Sequence, residues 1–536
     1  MRFWGWGDDA RAGDGLPSHA DALLAKELDL PPAGAGPSAA RDIAEVRLPE
    51  STLRDASRAA LGSAATIRED AEARVTHAAG KAYPDLLRLR AGDASPAPDA
   101  VLYPRSHDEV RAVLRACAGQ GVAVVPFGGG TSVVGGVEPL RGDLHAAIAL
   151  DLTHMNDVAS VDAESLTITV DPGLTLPQLE AELAPHGLTL GHVPQSFEYA
   201  TVGGCVATRS AGQASTGYGR IDELVLGATL AAPAGDLTLP AMPASAAGPD
   251  LRELVVGSEG ALGVITHVAL RVAHAPATRE YAGFAFKSFA AGAEALRRLE
   301  QEGAAPDVAR LSDEEETRLQ LALAGGGRKS RVAGAYLRTR RVAGGCIAIC
   351  GWEGRNDVVR LRRSATEALL RDHGAVRLGA SPGRAWARGR YHGPYLRDHL
   401  LDRGVLVETL ETATQWSNLH RLYDAVGAAL RGALGRTLVM CHISHLYPSG
   451  ASLYFTFLAA ARPGEELEQW RAAKTAASEA IVAHGGTISH HHAVGRDHAR
   501  YLGAEVGEQG IAALRAVKAE LDPAGIMNPG KLLPAR

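Results

Sequence analysis

The chain has 536 residues, too many for one ordinary core, so two or three domains are expected. Hydrophobic residues make up 46% and charged residues 22%, values of a globular protein, and a net charge of −6 without a long basic block argues against a nucleic-acid partner. No stretch approaches the ~18 apolar residues of a membrane span. The opening MRFWGWGDDARAGDG has no apolar signal core, so a cytoplasmic location is expected. The five cysteines suit reduced, buried thiols; only Cys346 and Cys350, four apart, have a spacing that admits a disulfide or metal pair.

Residues 1–96 are Ala-rich, with Pro and Gly around 31–37, and short helices are predicted over 50–61 and 66–79. Ser, Pro and Ala between Asp93 and Asp99 predict a linker. A strand is expected at Ala100–Tyr103. Ser106 and Glu109 then form a capping box for a helix carrying Val110, Val113, Leu114 and Cys117 and ended by Gly121. Val122–Pro126 is an apolar strand that runs straight into glycines. Further strands are predicted at Ala146–Leu152, Leu166–Val170, Val225–Ala231 and Gly263–Val272, with a helix opened by Thr175, Pro177 and Gln178 and closed by Gly187. Residues 97–274 therefore form an α+β domain. Residues 275–479 change texture, with Ala-, Leu- and Arg-rich helices between strands such as Leu453–Ala459, and make a second, cap-like domain. Residues 480–536 carry a histidine run, an amphipathic helix (Ile511, Leu514, Val517, Leu521) and the ending Asn528-Pro529-Gly530-Lys531.

Two stretches carry the chemistry. Pro126-Phe127-Gly128-Gly129-Gly130-Thr131-Ser132 lets successive backbone N–H groups face one anion, and glycine is needed where a side chain would block the approach. No Gly-Lys-Ser/Thr follows, so it is not a Walker loop, and Val133-Val134-Gly135-Gly136 does not open a helix as a Rossmann loop must. Alone it could be a tight turn. Three later small-residue stretches, Pro194–Thr208, Gly217–Val225 and Gly257–Thr266, supply the further backbone-lined contacts that a large, extended cofactor requires. Ser489-His490-His491-His492-Ala493-Val494-Gly495 is the second. On a strand at most two of its histidines share a side, and no Cys or carboxylate cluster at ligand spacing accompanies them. Histidine exchanges protons near neutral pH, so general acid–base work or phosphate binding is the expected use, and no metal is assigned.

These segments resemble the FAD-binding domain of the vanillyl-alcohol-oxidase/p-cresol-methylhydroxylase superfamily. The resemblance implies an α+β fold in which 97–274 is a PCMH-type FAD domain, 275–479 an α/β cap, and 480–536 a segment returning to the flavin site. It implies that Pro126, Gly128, Gly129, Gly130, Thr131 and Ser132 hold the pyrophosphate. Pro194, Ser196, Thr201, Gly203, Gly204, Thr208, Glu259, Gly263 and Ile265 would approach the flavin. Some members tether FAD through a histidine in the first glycine loop; this loop has Thr131 instead, so FAD is expected to be non-covalent.

Within the superfamily the chain resembles the alkyldihydroxyacetonephosphate (alkylglycerone-phosphate) synthase family. The supporting stretches are Trp6-Gly7, Arg310-Leu311-Ser312-Asp313, Tyr395-Leu396-Arg397-Asp398, Glu408-Thr409-Leu410-Glu411-Thr412, Ala451–Phe457 and the triple histidine with Val494-Gly495. That family exchanges the acyl chain of an acyl-dihydroxyacetone phosphate for a fatty alcohol to make an ether lipid precursor. The flavin ends in its starting redox state, with the substrate's C1 held at flavin N5 between. By the matched motifs Tyr454 is the acid/base near C1, His490, His491 and His492 assist it or bind substrate, and Arg397 and Arg310 hold the phosphate by their planar donor forks. Lipid-like substrates, weak peripheral membrane contact and a homodimer are the implied partners. Gln195 departs from the family's usual Asp, and Leu319–Tyr336, which matches poorly, is assigned to the substrate tunnel. The alternatives are an FAD-linked oxidoreductase of a 2-hydroxy acid or alcohol, and a non-catalytic flavin-binding protein.

Overall fold

A computed structural model of the protein describes residues 1–8, 10–11, 15–31, 42–323 and 337–534. The proline- and glycine-containing stretch around 31–37 and most of the segment assigned to the substrate tunnel lie outside the described residues.

The first sheet contains β1 (Thr66–Arg68), β2 (Ala100–Tyr103), β3 (Val122–Phe127) and β4 (Ala146–Asp151), in the order β1-β2-β4-β3. β2 and β3 both run parallel to β4, and their strands are almost wholly buried, as parallel strands covered on both faces must be. The crossover between β2 and β3 is the helix His107–Gln120, which buries Val110, Val113, Leu114 and Cys117 and ends at Gly121 (φ 67°). Its cap differs in one detail from the expected box. Ser106 Oγ accepts from Glu109 N at 3.2 Å, but the Glu109 carboxylate accepts from Arg105 N at 2.8 Å, one residue earlier. The helix Leu176–Leu183 has the full box, with Thr175 and Gln178 capping each other's backbone, and Gly187 (φ 66°) ends the following short turn.

Two expectations about the first hundred residues fail. Residues 66–79 are not one helix: Thr66–Arg68 pairs antiparallel with β2, and only Ala71–Thr76 is helical, capped by Asp70. The stretch 93–99 is not a loose linker. Ala94, Ala97 and Asp99 are buried, and the Asp99 carboxylate accepts from the backbone N–H of Thr52 and Ala147 at 2.5 and 2.8 Å.

The second sheet is antiparallel, ordered β5-β6-β10-β8-β9, from β5 (Val158–Asp162), β6 (Thr167–Val170), β8 (Val225–Ala232), β9 (Gly235–Leu239) and β10 (Val264–Arg271). A two-stranded pair joins β7 (Leu188–Thr189) to β11 (Ala273–His274). The chain's end returns to the first sheet: Val124 N donates to Ile526 O and Asn528 N to Val124 O, both at 2.8 Å, so the ending bridges in parallel to β3 at Met527. Asn528 Nδ2 then donates to the carbonyls of Gly136 (3.1 Å) and Glu259 (2.6 Å), pinning two of the small-residue loops together.

The third sheet positions the site. It is antiparallel, ordered β15-β12-β14-β13-β17-β19-β16, with β18 also on β19. Its strands are β12 (Thr278–Phe286), β13 (Val308–Ser312), β14 (Cys346–Gly354), β15 (Val376–Gly379), β16 (Val405–Gln415), β17 (Thr437–Ile443), β18 (Leu446–Tyr447) and β19 (Gly450–Ala460). Period-two alternation sends Leu311, Leu410, Cys441, Ile443, Leu453, Phe455 and Phe457 into one core with the helices Phe289–Gln301, Leu419–Leu434 and Glu466–Ala483. Each such phenyl ring contributes about 1.5–3 kcal/mol by leaving water. The intervening residues face the other way. The five cysteines are free and buried, with Cys346 and Cys350 on the same strand.

Candidate active site

The other face of the third sheet carries a polar stripe. In register across β16, β19 and β17 stand Glu411, Tyr454 and His442, and Ser312 of β13 follows opposite His442. Arg310, two residues before Ser312, points to the same side and donates from Nη2 to His442 Nδ1 at 3.0 Å and to Glu316 Oε1 at 2.6 Å. The Tyr454 ring stacks on His442, with centroids 4.8 Å apart. The histidine loop lies over this stripe: the Tyr454 centroid is 5.9 Å from that of His491 and 5.5 Å from that of His492. The fold thus brings together Tyr454, Arg310 and the three histidines, which sequence reasoning selected from three separate segments.

The loop is held by its backbone. Glu411 is buried and accepts from Ser489 Oγ (2.8 Å) and from the N–H groups of His490 (2.6 Å), His491 (3.1 Å) and His492 (2.7 Å). Burial opposes its charge, but its surroundings, the backbone donors of the histidine loop among them, outweigh burial and hold the carboxyl well below its ordinary value. The rings behave oppositely. Burial lowers His490, His491 and His492, the last to about 3, against the pull of Glu411, which acts to raise all three, and burial with the Arg310 charge takes His442 to about 4. All four are therefore neutral near pH 7. Burial raises Tyr454 to about 12, with Glu411 and Glu408 adding to it, so its phenol keeps its proton.

His490 has both ring nitrogens engaged, with Tyr447 OH at 2.6 Å and His491 Nδ1 at 2.9 Å. His445 stacks beside it at 4.8 Å and meets Ser215 Oγ through Nδ1 at 2.6 Å. One ring nitrogen from each of His445, His490 and His491 lies within 4.8 Å of the other two, and four of the six ring nitrogens are spent on these contacts. His492 Nδ1 is buried without a hydrogen-bond partner.

Arg397 lies on the helix Gly393–Asp402 and donates to Lys81 O at 2.7 Å; its Nε is buried and unpartnered, and its charge acts on Tyr454. The helix is strapped from the N-terminal segment. Trp6 N donates to Asp398 Oδ2 at 2.7 Å, and Lys81 Nζ donates to Arg2 O (2.7 Å) and Phe3 O (3.2 Å). The Trp6-Gly7 and Tyr395–Asp398 stretches, remote in sequence, are thus one packed unit. Gln195 is exposed; it donates to Arg390 O at 2.7 Å and accepts from Gln213 Nε2 at 3.2 Å.

The residues that would hold FAD fit a bound dinucleotide. Among the described residues, the backbone N–H groups of Gly129, Gly130, Thr131 and Ser132 make no hydrogen bond within the protein, and Gly130 has a φ of 64°. Ser258 Oγ and Asn528 Oδ1, buried beside these loops, are also unpartnered. Such free donors and acceptors around a glycine turn suit a phosphate-bearing ligand. The glycines have a second reason as well: a Cβ on Gly128 would strike the Thr201 side chain, and one on Gly129 the Tyr199 carbonyl, so the first loop needs glycine to nest against the second. Thr201 caps the short helix Val202–Ala207, which contains Gly203 and Gly204, and Thr208 Oγ1 returns to Gly204 O at 2.8 Å. Pro126 closes on Gly260, and Gly263 (φ 159°) and Ile265 open β10 beside β8. Pro194 and Ser196 start the turn that leads into the Tyr199 loop, Ser196 O accepting from Tyr199 N at 3.0 Å. Glu259 does something else: both carboxylate oxygens accept from the histidine loop, from Val494 N (2.8 Å) and Gly495 N (2.6 Å).

Sequence reasoning missed Glu411 as a hub, and His442, His445 and Tyr447 as ring neighbours. Glu411 stood in a quoted motif, but its function depends on strand register and loop closure, which spacing alone does not give.

Comparisons with known proteins agree with this arrangement. Residues 98–239 match the family "FAD binding domain" and residues 275–532 the family "FAD linked oxidases, C-terminal domain". The chain is 35% identical over 480 residues to the alkyldihydroxyacetonephosphate synthase of Dictyostelium discoideum, covering 87% of this chain and 78% of that protein. A solved alkyldihydroxyacetonephosphate synthase structure superimposes with a TM-score of 0.85 at 30% identity, over 99% of this chain and 98% of the other. p-Cresol methylhydroxylase, at 14% identity and a TM-score of 0.67 over 89% of this chain and 95% of the other, shares the fold. The chain is a flavoenzyme with the PCMH-type fold and FAD as its cofactor, and it belongs to the alkyldihydroxyacetonephosphate synthase family.

Proposed function

We propose that the enzyme exchanges the acyl group of an acyl-dihydroxyacetone phosphate for a fatty alcohol. The C1–O bond to the acyl group breaks, its electron pair leaving with the carboxylate, and the alcohol oxygen forms the new C1–O ether bond as its proton is lost. The reading is carried by one observation: a tyrosine and the histidine rings face each other across the stripe, beside a half-buried arginine and the flavin loops. FAD, when bound, supplies an electron-accepting ring that tolerates carbanion character at C1 without net redox change.

The chain's residues divide the remaining work. Tyr454 holds its proton at neutral pH and serves as a donor, so a neutral imidazole, His491 or His492, takes the proton from C1. His490, with both nitrogens engaged, orients His491. Arg397 offers the freer guanidinium for the phosphate, since Arg310 is already paired with Glu316. Residues 97–274 with 480–536 form the cofactor-holding part and 275–479 the cap. FAD is non-covalent, since the first glycine loop offers Thr131 and no histidine. A homodimer, a cytoplasmic location and weak peripheral contact with a membrane complete the proposal; among the described residues no helix is long and apolar enough to cross one.

The test is to mix the FAD-loaded enzyme, without oxygen, with palmitoyl-dihydroxyacetone phosphate and hexadecanol. Release of palmitate with an ether product and no net bleaching of the flavin is expected. Bleaching by 2-hydroxy acids with no palmitate release would overturn the reading in favour of a dehydrogenase.

A further inference from the structure

Every backbone N–H of the segment from His490 to Gly495, apart from that of Ala493, ends on one of two buried carboxylates. Glu411, on β16 of the third sheet, takes those of His490, His491 and His492, together with the Ser489 hydroxyl. Glu259, in the turn before β10 of the second sheet, takes those of Val494 and Gly495. Between the two grips sits Ala493 with a φ of 76°, a left-handed conformation that is strained for an alanine. Neither carboxylate has a neighbouring arginine or lysine in a salt bridge among the described residues; each is satisfied by the loop. Five amide donors in a stretch of six residues are more than a turn of this length needs, and a carboxylate is the acceptor that can take several at once.

We propose that Glu411 and Glu259 are paired positioning residues, which grip the histidine loop from the cap sheet and from the flavin-binding part, and so fix where His491 and His492 stand relative to both. The two grips divide the labour. Glu411 sets the rings against Tyr454, its own cross-strand neighbour on β19. Glu259 sets the loop against the flavin loops: its backbone carbonyl is held by Asn528, and the same loop end is tied by Arg496 N to Val134 O at 3.0 Å. The hinge is Ala493, whose strained backbone joins two segments clamped to different sheets. The loop is therefore a bridge whose two ends report to two parts of the molecule, and losing either grip misplaces the rings without removing them.

The experiment uses the FAD-loaded full chain with Glu411→Gln, Glu259→Gln and the double variant, followed by hydrogen exchange of the 488–496 backbone and by steady-state kinetics. In Glu411→Gln the amides of 490–492 lose protection while those of 494 and 495 keep it; in Glu259→Gln the pattern reverses. Misplacement of reacting groups by about 1 Å costs about 10²-fold, so kcat falls by about that much in each single variant while KM and FAD content stay near the parent's. The double variant loses little more than the worse single one, because both act through one loop. Should Glu411→Gln fail to fold, Glu411→Asp, which keeps the acceptor but shortens the reach, shows weakened protection at 490–492 and partial kcat. Uniform loss of protection across the loop in either single variant, or unchanged protection in both, overturns the proposal. The kinetic readout rests on the synthase reading above, but the exchange readout does not: selective deprotection with no synthase turnover in the parent would sink that reading and leave the clamp standing.

Discussion

At the scale of single residues, protonation states decide the chemistry. A tyrosine held near 12 is a poor base and a good donor, whereas buried imidazoles held below 6.5 are free to accept a proton over the neutral range. Tyr454→Phe removes the donor but keeps the ring that stacks on His442, so kcat is expected to fall about 10²–10⁴-fold with the fold intact, as judged by an unchanged Tm and flavin spectrum. A loss below tenfold would move the acid role elsewhere. Arg397→Lys retains charge but not the planar fork, and is expected to raise KM for the phosphate-bearing substrate by at least about tenfold while leaving KM for the alcohol alone. Equal effects on both substrates would show that Arg397 supports the helix Gly393–Asp402 instead. These residues could be picked from the sequence because the motifs matched by the family resemblance single them out and their types suit the chemistry. Glu411 could not be given its task in that way, since a glutamate on an apolar strand shows its partners only once the loop 78 residues later has folded onto it.

Elements repeat the lesson with different physics. The helix His107–Gln120 and the strands β3, β4, β8 and β10 fall within a residue or two of where periodicity and caps put them, because their signals are local: alternating burial, a serine cap, a glycine in the left-handed region. The failures are those whose cause is remote. Thr66–Arg68 is a strand because β2 offers it an open edge, and residues 93–99 are packed because the buried Asp99 finds two backbone N–H groups in other segments. The glycine loop stands between these cases. Its glycines were expected to clear room for a phosphate, yet two of them also clear room for the Tyr199–Thr201 loop. Gly129→Ala drives a methyl into the Tyr199 carbonyl, so it is expected to part the two loops and to cost most of the bound FAD, measured by the ratio of flavin to protein absorbance after gel filtration. Full retention of FAD would show that the loops can separate without harm to the site.

The whole molecule carries several buried or half-buried histidines held in the neutral form, and its response to acid follows from that. His192, His492 and His498 are lowered to about 3 and His442 to about 4, while His445, His490 and His491 are lowered too, burial being the first cause in each. A histidine whose folded pKa lies below its unfolded value of 6.5 contributes stability that is complete above 6.5 and is lost as pH falls toward the folded value, because the unfolded chain binds the proton first. Each such group withdraws about 1.4 kcal/mol per pH unit in that window. Glu259 and Asp313, raised to about 7, and Asp85, raised to about 6, act in the opposite sense, gaining stability as pH falls toward their unfolded values near 4. The histidines outnumber these carboxyls, so the net slope between pH 6.5 and 4.5 is downward with acid. It steepens below about 4.5, where the unfolded carboxyls are themselves protonated and the offset ends, and where Glu411 and Glu316, both held low, begin to lose their charge. The Tm of the FAD-loaded protein is therefore expected to fall modestly from pH 6.5 to 4.5 and sharply below. A Tm that stays level down to pH 4 would mean that the histidine cluster takes up protons in the folded state, and with that the neutral imidazoles on which the proton transfer from C1 depends would be gone.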